Sequence, residues 1–300
     1  MDRIMKNEGM LRALTSLQPE EFEQLVFAFE KEWAKQNKRR TFEGGERQRA
    51  PGAGNKGRLE SIQHKLLFIL MYFKLYPIQH AMAFIWRFSQ PQVNEWIHRL
   101  TPVLRATLGQ ELKLPQRRPA KLAEVLSQCP GLEFIIDGTE RRRRRPGDKD
   151  RQKKHYSGKK KTHTDKNVII TANRRVLYLS ETVAGSTHDM RAAETIKDCR
   201  FPEDCVLLQD SGFQGFCPPG ARVLMPKKKP RGRELSADRK LVNHAISRLR
   251  VGVEHVIAGV KRCHIVSDTF RNMKEGFEDA VMEVACGLHN LRIDSRMPAA

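Results

Sequence analysis

GLEFIIDGTE (131–140) is the stretch on which the fold turns. A short apolar run with the length of a strand ends in a carboxylate, Asp137. A buried strand is a costly place to leave an acid unless something compensates it. The same signature recurs downstream, where CVLLQD (205–210) is again a short apolar strand closed by an acid, Asp210. Between them NVIITA (167–172) and RVLYLS (175–180) read as a strand pair turning at Asn173 and Arg174, and RVLM (222–225) reads as a fifth strand. STHDMRAAETI (186–196) reads as a helix with Ser186 or Thr187 near its cap, and residues 238–262 read as a long one.

Strands alternating with helices place this part of the chain in the α/β class, and five strands in a mixed sheet suit a ribonuclease-H-like order. The part before it reads as all helix. Phe22, Leu25, Val26, Phe29 and Trp33 recur on one face after Pro19, which suits a first helical turn. Residues 35–57 are polar and basic; GAGNKG (52–57) matches GxGxxG formally but follows no apolar strand, so it makes no nucleotide pocket. Three helices then follow between 61 and 104. The second starts near Pro77, and Ser89 caps the third, with Gln92 placed to complete a capping box. Val93, Trp96, Ile97 and Leu100 would face inward, leaving Gln90, Gln92, Asn94, Glu95 and Arg99 outward. That is the pattern of a helix-turn-helix, and equally that of a plain three-helix bundle; the basic surroundings favour contact with DNA. The expected division is a helical region (1–34), a basic linker (35–59), a helix-turn-helix domain (60–128) and an α/β domain (129–300).

The 300 residues carry 55 Lys and Arg against 35 Asp and Glu, a net charge of +20, and the excess is clustered. Residues 141–166 hold 13 Lys or Arg in 26 positions, and KKKPRGR (227–233) holds five in seven. A polyanion is the natural partner of such patches, because each cation placed on a phosphate releases condensed counterions. Arg141, Arg142, Arg143, Lys159, Lys160 and Lys161 are the candidate phosphate contacts. A solvated loop or a localisation signal is the plainer alternative. The longest apolar run, LLFILMYF (66–73), is too short for a membrane span, and the first ten residues lack the apolar core of a secretory signal. The expected location is therefore the cytoplasm, with the nucleoid, or the nucleus in a eukaryote. Six cysteines form no CxxC pair, which argues for reduced thiols rather than zinc.

Glu254 lies along the long helix near its packed face. If the two acid-bearing strands are neighbours and this helix crosses their ends, Asp137, Asp210 and Glu254 converge. Hard oxygen ligands without cysteine or histidine select Mg²⁺ or Mn²⁺, and two such ions about 4 Å apart can serve phosphoryl transfer.

DGTE (137–140), HYSGKKKTH (155–163), GSTHD (185–189), DSGFQG (210–215) and the helix around 250–261 occur in this order. Together they resemble the DDE transposases of bacterial insertion sequences, in the branch related to eukaryotic Harbinger elements, over roughly residues 60–290. The resemblance implies a ribonuclease-H-like catalytic domain and a divalent metal (Mg²⁺, with Mn²⁺ as substitute, in two sites). It further implies cutting and joining of double-stranded DNA at terminal inverted repeats and target by a homodimer or higher oligomer. Matched by position, Asp137, Asp210 and Glu254 are the catalytic, metal-binding acids. Arg250, Glu254 and Lys261 follow most of the Tyr-Arg-Glu-Lys signature of related transposases, with Arg250 and Lys261 held to phosphates; Ser247 stands where the signature has tyrosine. Asp189 is expected to have a capping or scaffold role, and neither it nor Glu140 is expected to bind metal. A non-catalytic DNA-binding derivative and a structure-selective nuclease are the rival functions.

Overall fold

The computed structural model describes residues 2–39, 58–129, 131–229, 232 and 234–296. The GxGxxG match and most of the expected linker lie outside these residues, as does part of KKKPRGR. In chain order the helices α1 (Asp2–Met5), α2 (Glu8–Thr15), α3 (Pro19–Arg39), α4 (Ile62–Leu75), α5 (Gln79–Trp86), α6 (Gln90–Gln110) and α7 (Leu122–Ser127) precede the sheet. There follow β1 (Glu133–Arg142), α8 (Lys149–His155), β2 (Tyr156–Ser157), β3 (Thr162–Ala172), β4 (Arg175–Leu179), β5 (Val183–Ala184), α9 (Asp189–Ala192), β6 (Cys205–Gln209), β7 (Ala221–Leu224), α10 (Ala237–Val260) and α11 (Phe277–Arg296). Two compact units result. One holds residues 1–114, 262–265 and 280–300, the other 115–261 and 266–279. Most of α11, from Ala280, groups with the helices in this division.

In the helical unit, α4 is buried from Lys65 to Phe73 on every face, since an almost wholly apolar sequence can be satisfied only at the centre of a bundle. Phe22, Leu25 and Phe29 of α3 face inward as their spacing predicts. Arg87, in the left-handed conformation, ends α5, and its N–H reaches the carbonyls of Ala83 and Phe84. Ser89 and Gln92 then form the expected capping box at the start of α6. Along α11, Val281, Val284, Ala285 and Leu288 are buried, with Glu283 paired to Arg105 at 2.7 Å.

The second unit is built on a seven-stranded sheet ordered β2-β3-β1-β6-β7, with β4 and β5 also paired to β3. β1 runs antiparallel to β3, and β3 to β4, whereas β1, β6 and β7 are mutually parallel neighbours. This is the ribonuclease-H-like arrangement that the five-strand reading anticipates, with the two-residue strands β2 and β5 added. Asn173 and Arg174 both take positive φ (49° and 63°), the geometry of a tight hairpin turn between β3 and β4. Phe134, Ile136, Val168, Ile170, Tyr178, Leu207, Phe213 and Phe216 fill the core. α10 packs on β1 and β6 through Val253, Val256 and Val260, and Gly252 lies against Ile135. Among the described residues, no helix is long and apolar enough to cross a membrane.

Candidate active site

Register decides where the two strand acids go. The last parallel pair of β1 and β6 is Ile136 with Gln209, so the next residues stand side by side: Asp137, still within β1 and paired with Ile169 of β3, and Asp210, just past the end of β6. Each carboxylate folds back onto the backbone that follows it: Asp137 Oδ1 accepts from Gly138 N at 2.8 Å, and Asp210 Oδ1 from Ser211 N at 2.7 Å. Arg250, on the helix crossing both strands, spans the pair, 3.5 Å from Asp137 Oδ2 and 3.6 Å from Asp210 Oδ1. The side chains of Asp137 and Arg250 are 19% and 15% exposed, that of Asp210 42%. Burial pushes the Asp137 carboxyl above its ordinary range, against the pull of Arg250 and the Gly138 N–H, and the Asp210 and Asp189 charges add to the rise.

The expected convergence of three acids is met by two. Glu254 is exposed one helical turn beyond Arg250, and it forms no hydrogen bond or ion pair among the described residues. The Arg250 guanidinium stands between the two aspartates, and no three His, Cys, Asp or Glu side chains among the described residues are grouped to hold a metal ion. Asp137 and Asp210 nonetheless fit a divalent cation: they are hard oxygen donors, already sharing one positive group, and the Arg250 Nε is buried without a hydrogen-bond partner.

The basic candidates divide. Lys159, Lys160 and Lys161 are exposed on the turn between β2 and β3, where Lys161 takes a positive φ of 51°. Lys261 is half-buried, donates from Nζ to Glu140 O at 3.1 Å, and has its pKa lowered by burial and by the neighbouring Lys160. Arg142 is exposed, but Arg141 is only 4% exposed, lies over the Phe270 ring and donates to Thr182 Oγ1 at 2.8 Å. Arg143 is committed to Asp165 at 2.8 Å, beside His155. The expectation of phosphate contact therefore fails for Arg141 and is weakened for Arg143, because strand alternation turns both inward.

In the helix-turn-helix, Gln92 is exposed and serves the capping box. Gln90 and Asn94 are both hydrogen-bonded to Gln79 of α5, the latter at 3.0 Å. Arg99 is not outward: its guanidinium lies over the rings of Trp33 (4.7 Å) and Trp96 (5.3 Å) and donates to Asn37 Oδ1 at 2.9 Å. Its periodicity cannot reveal this, since a flat cation stacks on tryptophan as readily as it meets a phosphate. Sequence reasoning passed over Gln79 and Lys166. The second had a signal, a lysine within the apolar run of β3.

Residues 136–290 match the model of a family described as DDE superfamily endonuclease, and residues 57–110 match one described as helix-turn-helix of DDE superfamily endonuclease. The chain is 28% identical over 220 residues to a protein of Microchaete diplosiphon named "Probable transposase for insertion sequence element IS702", which covers 72% of this chain and 75% of that relative. No solved structure matches.

Proposed function

The chain belongs to the DDE superfamily of endonucleases, with that family's helix-turn-helix ahead of the catalytic part, and from this premise we propose that it is a transposase. It binds the inverted repeats at the ends of an insertion sequence, cuts there, and joins the freed ends to target DNA. The observation that carries the reading is the pair Asp137 and Asp210, brought side by side by the register of two parallel strands beneath a helix bearing Arg250 and Glu254.

Asp137 and Asp210 would hold a divalent cation, Mg²⁺ or Mn²⁺, and Glu254 would join them from α10. Bound there, the metal supplies charge stabilisation and activation of an oxygen nucleophile in phosphoryl transfer. Arg250 balances the two carboxylates and is placed to hold a phosphate once they are otherwise engaged. Lys261 and Lys160, close enough for their charges to repel, suit the next phosphates of the strand. Lys159 and Lys161 would extend that grip along the duplex, while Gln90, Gln92 and Asn94 of α6 would read the repeat. No side chain needs to form a covalent intermediate, because water and then the DNA 3′-hydroxyl serve as nucleophiles.

The test is cleavage and strand transfer on labelled terminal-repeat DNA, with gel-shift binding measured in parallel. Asp137→Asn, Asp210→Asn and Glu254→Gln are expected to bind DNA as well as the parent and to lose both reactions. An Asp210→Asn protein that folds, binds and still cuts at the parent rate overturns the assignment. Cutting without joining would identify a nuclease instead.

A further inference from the structure

The GSTHD segment ends in an acid for which the proposed reaction has no role. Asp189 opens α9, yet the cap is His188, whose side chain accepts from Met190 N at 3.4 Å. The Asp189 carboxylate is engaged elsewhere. Lys166, buried on β3, donates from Nζ to Asp189 Oδ1 and to Thr187 O, both at 2.8 Å, with Glu140 Oε1 at 3.7 Å. An ammonium taken out of water requires such partners.

The same carboxylate is pressed against both acid-bearing segments, β1 after Asp137 and the turn after Asp210. A Cβ placed on Gly138, the residue after Asp137, would stand 3.0 Å from Asp189 Oδ1. A Cβ on Gly212, two residues after Asp210, would stand 2.5 Å from Asp189 Oδ2, closer than real Cβ atoms come. Glycine in DGT and in DSG is thus the residue that leaves room for Asp189.

We propose that Asp189 is a positioning residue: gripped by Lys166, its carboxylate is the spacer that sets the backbone just after Asp137 and just after Asp210 and cancels the buried ammonium beside them, so that both acids are available to a divalent cation. The inference rests on the reading of Asp137 and Asp210 as cation ligands. It gives the expected scaffold role of Asp189 a specific object, the backbone beside the two acids.

Mn²⁺ alone, titrated into the full chain without DNA and followed by the paramagnetic resonance signal of the free ion, is the probe. Asp189→Asn keeps the shape but strands the Lys166 charge, and Mn²⁺ affinity should fall on the order of 10- to 100-fold, the usual cost of losing such a supporting group. Adding Lys166→Met removes the stranded charge and should recover most of the loss, which a purely structural role for Asp189 would not produce. Unchanged affinity in a folded Asp189→Asn protein, or no recovery in the double variant, overturns the proposal. Should Asp189→Asn fail to fold, Gly212→Ala displaces the same carboxylate sterically. It should weaken Mn²⁺ binding in the parent and add nothing in an Asp189→Ala background; equal harm in both overturns the spacer. Asp137→Asn is the control for the site itself. Mn²⁺ binding that survives it removes the ligand assignment, whereas its loss alongside an indifferent Asp189 removes only the present inference.

Discussion

Two parts of one basic tract meet opposite fates. Arg141 and Arg143 on and beside β1 are turned into the protein, against Phe270 and Thr182 in one case and Asp165 in the other. Lys159, Lys160 and Lys161, fewer than 20 residues on, stand in solvent on a turn. Composition treats the five alike. The pleat of a strand does not: along 141–144 the side chains alternate inward and outward, so a run of arginine becomes two internal struts and two surface charges. A turn has no such alternation and leaves its lysines free for a polyanion. Charge density therefore locates a nucleic-acid surface only after the register has removed the cations that the fold itself uses.

The sharpest way to break this contrast is Arg143→Ala. Asp165 is 1% exposed and would keep His155, at 3.0 Å, and the more distant charge of Arg141. Removing one member of a buried pair costs about 3–5 kcal/mol, which urea denaturation would register, and replacing both members by apolar residues should restore most of it. A loss under about 0.5 kcal/mol, the range of ordinary surface substitutions, would place Arg143 with the surface lysines.

The opposite member of the comparison is the triple change of Lys159, Lys160 and Lys161 to Gln. Stability should stay within about 0.5 kcal/mol of the parent. Affinity for any duplex should drop, and the slope of log affinity against log salt should flatten by about one for each phosphate contact removed. An unaltered slope would make these lysines solvated bystanders.

The smallest effect concerns an internal charge on the acid side. Burial raises the Asp137 pKa in the folded state despite Arg250. The folded protein therefore holds that proton more tightly than the unfolded chain. The resulting stability is present below the ordinary carboxylate range and is lost as pH rises through the folded pKa. At neutral pH the charged carboxyl is thus a net burden, and Asp137→Asn should raise the melting temperature slightly while abolishing cleavage, with the advantage vanishing in acid. A lower melting temperature for the amide at neutral pH would show that its bond to Arg250 outweighs burial.

Much of this molecule was legible in the amino-acid order. The strands bearing Asp137 and Asp210, the hairpin at Asn173, the capping box at Ser89 and the long helix over 238–262 all rest on local chemistry, and local chemistry is what a sequence displays, although β1 runs five residues past Asp137, to Arg142, because β3 goes on pairing with it. What stayed hidden depends on partners distant along the chain. Arg99 lies on Trp33, Gln90 and Asn94 bond to Gln79, and Asp189 meets Lys166 and two glycines, one in β1 and one in the turn after β6. Glu254 shows the same limit from the other side: its spacing from Arg250 was plain, but which of the two would stand between the aspartates was not. α11 escaped notice because its apolar residues are interleaved with Glu283, His289, Asn290 and Arg292, which the fold buries as well.

That last helix also governs the timing of assembly. Residues 280–296 wall the same helical core as residues 2–39 and 58–114, with Arg296 gripping Glu21 at 2.7 Å and Asn290 bonding to Lys113 O at 2.9 Å. During synthesis the N-terminal helices emerge first, yet their bundle lacks one side until the whole sheet has been made. The N-terminal helices thus reach their finished form only on a chain that already carries the sheet, so a prematurely terminated product would lack a complete helical bundle.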